Sequence, residues 1–86
     1  MTVDGAIIKE QGVTFGIIVV KSHALSDVTG RDALVRQASG LFGGIPTILM
    51  AQAGRQARYY GRPDLVRFMR SVPLAAVPWK RYRLPG

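Results

Sequence analysis

The chain contains no cysteine, and only five of its 86 residues are acidic. Without thiols there can be no disulfide, no thiolate metal site and no cysteine nucleophile, so the core must hold the fold unaided or with the help of a second chain. No long apolar run exists either. The longest, Gly16 to Val20, falls far short of the about 20 residues that cross a bilayer. No basic patch followed by an apolar stretch opens the chain, so no export signal is expected and a cytoplasmic location, away from the membrane, is the default. The single histidine, His23, and the scattered carboxylates show no metal-ligand spacing, so no metal or cofactor is expected.

What is present is charge of one sign in one place. Up to Gly54, Lys9, Lys21, Arg31 and Arg36 are balanced by Asp4, Glu10, Asp27 and Asp32. From Arg55 onward eight cations face Asp64 alone, which accounts for the whole formal net charge of +7. Codon bias alone could explain an excess of Arg over Lys; it does not explain the position of the charge. A field this lopsided marks a surface that meets an anion.

A hydrophobic fraction of 48% and a charged fraction of 20% are globular values. A chain of this length buries roughly 60–65% of its unfolded surface, enough for one domain spanning residues 1–86. Ala6–Glu10 and Thr14–Lys21 are rich in β-branched residues and flank Gln11-Gly12, the signature of a hairpin. The second of these strands is apolar nearly throughout, which places it centrally and covers it on one face or both. Residues 22–29 read as a loop, with Ser26, Asp27 or Thr29 able to cap the helix that follows. Leu34, Ala38, Leu41 and Phe42 repeat at helical spacing until Gly43-Gly44 stops them. Pro46–Gln52 and Gln56–Tyr60 form a second hairpin about Gly54. Pro63 opens a second helix, whose Leu65, Phe68, Met69 and Val72 form the clearest amphipathic stripe of the chain. Ala75–Leu84 reads as a last strand, kept to a sheet edge by Pro78. The expectation is therefore an α+β domain of order ββαββαβ, its two helices on one face of a mostly antiparallel sheet.

Gly44-Ile45-Pro46-Thr47, the strand they lead into, the glycine turn, the Tyr-Gly strand end and the short helix look like the second half of a thioredoxin-type fold. The resemblance covers residues 41–72 only. Paired cysteines and a first strand–helix unit of that type are missing, so it implies no redox activity, and the chain is not assigned to that family.

The functional expectation is a non-enzymatic module that binds nucleic acid or another polyanion through Arg58, Arg62, Arg67, Arg70, Lys80, Arg81 and Arg83. Tyr60, Trp79 and Tyr82 lie among these cations and could stack on unpaired bases. The bland reading of the same residues is a solvated helix face with aromatics packed in the core, and an acidic protein could use the same arginines. The rival expectation is a protein–protein module or homodimer that pairs through the N-terminal hairpin, where only Lys9 and Glu10 guard the edge. A weaker third is an enzyme built on His23 within Ser22-His23-Ala24-Leu25-Ser26-Asp27. Residues so close in sequence rarely align as nucleophile, base and orienter, and Ser26 and Asp27 have a simpler use as caps. Gly40 to Gly44 lacks the Lys and Ser/Thr of a phosphate loop and leaves a helix instead of opening one.

Overall fold

The computed structural model describes residues 2–10 and 12–84. Strands β1 (Thr2–Glu10) and β2 (Val13–Val19) form the first hairpin, followed by helices α1 (Ser22–Ser26) and α2 (Val28–Leu41). Strands β3 (Thr47–Ala53) and β4 (Gln56–Tyr60), helix α3 (Pro63–Met69), a 3-10 turn (Leu74–Ala76) and strand β5 (Lys80–Arg83) complete the chain. One five-stranded sheet runs in the order β4-β3-β2-β1-β5. Three of its pairings are antiparallel and one, β2 with β3, is parallel. The α+β class, the element order and the mostly antiparallel sheet are those expected.

The helices do not share one face. Ile17, Ile48 and Met50 pack with Leu65 and Met69 of α3, whereas Ile18, Leu49 and Ala51 pack with Leu25 of α1 and Ala38 of α2. Alternate residues of a strand point to opposite faces, and β2 and β3 are apolar at both sets of positions. A single helical layer would have left Ile17, Ile48 and Met50 in water. Burying each stabilises the fold by about 1.5–3 kcal/mol, which is why the second helix lies on the other side. Its stripe lands as spaced: Leu65 and Met69 are buried, Phe68 and Val72 pack beside them, and Phe15 meets Phe68 edge to face at 6.0 Å.

Local signals set the element ends. Gly12 sits in the hairpin turn at φ 82°, and Glu10 pairs with Val13 across it. The expected loop at 22–29 holds the short helix α1, which ends at Asp27. Asp27 then caps α2, its carboxylate accepting the Gly30 N–H at 3.1 Å. Asp27→Ala is expected to cost about 1 kcal/mol, read as a lower urea midpoint at unchanged m-value. At the far end the Gly44 N–H reaches the Ser39 carbonyl at 2.7 Å and the Gly43 N–H that of Gly40 at 3.2 Å, with Gly43 at φ 81°. This pair of bonds defines a Schellman stop.

The last strand is shorter than expected. Leu74–Ala76 coil into the 3-10 turn, Pro78 lies before the strand instead of inside it, and only Lys80–Arg83 pair with β1. β5 is an edge strand as expected, although Pro78 stands outside it. Among the described residues no helix is long and apolar enough to cross a membrane.

Candidate anion-binding surface

The sheet order divides the seven candidate cations. β4 and β5 are consecutive strands in the basic third of the sequence but form opposite edges of the sheet, about 19 Å apart at the usual strand spacing. Arg58 pairs with Ala51, whose side chain belongs to the α2-side core, so it points to the α2 side. Lys80 alternates with Tyr82 and Leu84, both packed in that same core, and joins it there. Arg81 pairs with Asp4, which lines a groove with Leu74 and Trp79 on the α3 side, and Arg83 alternates onto that side. Arg67 and Arg70 project from α3 itself, exposed and opposite the buried Leu65 and Met69.

Two of the seven are engaged by carboxylates. Arg62 forms a fork with Asp64, Nε donating at 2.8 Å and Nη2 at 2.7 Å. That hydrogen bond holds the Asp64 carboxyl below its usual range, at about 2, and raises the Arg62 guanidinium. Arg81 touches Asp4 through one long contact, Nη1 to Oδ1 at 3.4 Å. These are the only ion pairs among the described residues. Arg58, Arg67, Arg70, Lys80 and Arg83 are exposed with no carboxylate partner.

The aromatic residues are committed inside the fold. Tyr60 is half-buried, donates its hydroxyl to Asp32, and carries the Arg31 guanidinium 4.2 Å above its ring. Trp79 packs in the α3-side core and donates its indole N–H to the Leu74 carbonyl at 3.0 Å. Tyr82 stands edge to face with Phe42 at 5.0 Å. Tyr59 is also drawn inward, and burial raises its phenol pKa. Tyr60, Trp79 and Tyr82 are thus held against protein rather than presented as a stacking platform.

His23 is exposed on α1, and no hydrogen bond joins it to a neighbouring acid or hydroxyl among the described residues. Ser22 Oγ donates instead to the Gln52 carbonyl at 3.3 Å, and Asp27 is occupied as the α2 cap. No group of three or more His, Cys, Asp or Glu residues could hold a metal ion among the described residues.

One feature was missed by sequence reasoning. Thr2, Val3, Asp4, Val19, Val20, Lys21, His23, Ala24, Leu34 and Arg81 line an open cleft of about 720 Å³. They come from β1, β2, the Val20-Lys21 link, α1, α2 and β5, and no linear pattern joins them. The chain matches no protein-family model, no curated protein and no solved structure.

Proposed function

We propose that this domain binds a polyanion, nucleic acid foremost, through phosphate contacts made by its α3 side. The observation that carries this reading is the placement of Arg67, Arg70 and Arg83. All three are exposed on the α3 side with no carboxylate partner among the described residues, and Arg81 lies on the same side in an ion pair open to water; Arg62, also in an exposed pair, stands at the start of α3 beside Asp32, Val35 and Arg36 of α2. Phosphate oxygens compete well with such exposed pairs, which are worth little in themselves. With the aromatic residues engaged in the fold, binding would come from charge and would discriminate little between base sequences. The test is fluorescence anisotropy of short single- and double-stranded DNA and RNA across salt concentrations. Binding that is absent at low salt for every probe would end the proposal.

A second reading has its own observation. The β1–β5 ladder stops at Gly5, so β1 from Ala6 to Glu10 has no strand on its outer side among the described residues. Gly16 and Val20 donate their N–H groups to β3, so by alternation Ala6 and Ile8 face β2 and Ile7 and Lys9 turn their backbone groups outward. Ile7 is 41% exposed beside this open edge. A second copy could pair there antiparallel. Light scattering at two protein concentrations is expected to show a dimer at the higher one. Ile7→Pro, which removes an outward N–H while sparing the β1–β2 ladder, is expected to leave a monomer. A wild-type chain that is monomeric at both concentrations would exclude this mode.

A further inference from the structure

The sheet opens at one corner. β1 and β2 pair from Glu10↔Val13 down to Gly5↔Ile18 and no further, while on its other edge β1 stays paired with β5 from Gly5 to Thr2. β2 meanwhile stays with β3, and the Val20 N–H still reaches the Met50 carbonyl at 2.8 Å. Thr2–Asp4 and Val19–Lys21 therefore diverge, and the 720 Å³ cleft occupies the gap between them. It lies at the carboxyl end of β2, where β3 still pairs with the strand and β1 no longer does.

The lining is of two kinds. Val3, Val19, Val20, Ala24 and Leu34 make an apolar floor, and Lys21, His23 and Arg81 stand at the rim with Asp4. Two permanent cations face one carboxylate, so a single negative charge balances the rim. Arg81 is free to supply the contact. Its side chain is 71% exposed and is tied to Asp4 only by the one 3.4 Å interaction, which leaves most of its planar fork available for a second carboxylate. A phosphodiester backbone would make no use of the apolar floor. The volume falls within the range of small-molecule sites.

We propose that this cleft binds a small organic monoanion, a carboxylate carried on a compact apolar body. The carboxylate sits between Arg81 and Lys21, with the His23 imidazole within the same rim, and the apolar part lies against Val19, Val20 and Leu34. The site is independent of the polyanion surface, from which it borrows only Arg81.

Two-dimensional amide NMR of the full chain tests this, with phenylacetate as the probe. Saturable shifts are expected at Val3, Val19, Val20, Lys21, Ala24 and Leu34, with a dissociation constant of about millimolar for so small a probe. 2-Phenylethanol, which keeps the ring and loses the charge, is expected to bind at least about tenfold more weakly, and so is acetate, which keeps the charge and loses the ring. Arg81→Gln is expected to weaken phenylacetate by about tenfold. Ala24→Phe, which fills the cleft and leaves every charge in place, is expected to abolish the shifts. Phenylacetate shifts that are absent, that never saturate, or that acetate reproduces would overturn the proposal. An oligonucleotide added to the same sample reports on Arg67 and Arg70 of α3, so failure here and failure of the polyanion reading are read separately.

Discussion

Replacing Gly16 by alanine is expected to lower the melting temperature by roughly 8–16 °C, the equivalent of about 2 kcal/mol in a domain of this size. Gly16 lies in the middle of β2 with its missing side chain directed at the ring of Phe42. A methyl group there would come within 2.7 Å of Phe42 Cε2 and 3.0 Å of Thr47 Oγ1. The ring is also held by Tyr82, which it meets edge to face at 5.0 Å. Tyr82 in turn lies over Gly5, where an added Cβ would approach it to 3.1 Å. Two glycines in neighbouring strands thus leave the space that one aromatic pair fills, and the pair joins the end of α2 to β5. The diagnostic variant is Gly16→Ala combined with Phe42→Leu. If the ring is the obstacle, the double variant is less destabilised than the sum of the two single ones by about 1 kcal/mol. Additive losses in thermal or urea unfolding would show that Gly16 is needed for some other reason.

Exchanging Arg67 and Arg70 together for alanine is expected to flatten the salt dependence of nucleic-acid binding. Each phosphate neutralised on a B-form duplex adds about −0.9 to the slope of log affinity against log salt. If Arg67, Arg70 and Arg83 each hold one, the wild-type slope is about −2.7, and raising salt from 50 to 200 mM costs roughly 40-fold in affinity. The double variant is left with a slope of about −0.9 and loses only about 3- to 4-fold over the same interval. The sheet supplies an internal control. Arg58 and Lys80 carry the same charge and belong to the same basic third, yet they project to the α2 side. Arg58→Ala with Lys80→Ala is expected to leave the slope unchanged. Equal effects from the two double variants would mean that total charge matters and the α3 side does not. All four residues are exposed, so neither variant should disturb folding.

Much of the architecture was legible residue by residue. β-branched runs about Gly12 and Gly54, the stop at Gly43-Gly44 and the stripe from Leu65 to Val72 are local signals, and local sterics and hydrogen bonding decided them. The apolar character of Gly16 to Val20 carried a further message, that this strand needs cover on both faces, and it outweighed the simpler layout with both helices on one side. The shortened β5 has a local cause as well: Leu74 begins a turn that Trp79 holds closed through its indole N–H, so alternation starts only at Lys80.

By itself the sequence determined the two hairpins, helices α2 and α3, the order of these elements and the confinement of net charge to the last third, because each depends on neighbours along the chain. Only the tertiary structure decided which cations stand together. β4 and β5 are separated by three strands although the chain joins them through a single helix and a turn, and alternation along each then sends neighbouring arginines to opposite faces. The cleft was beyond reach of the sequence for the same reason. It exists because the β1–β2 ladder ends at Gly5 while β1 stays with β5 and β2 stays with β3, and strand pairing is a relation between distant residues that no local pattern records.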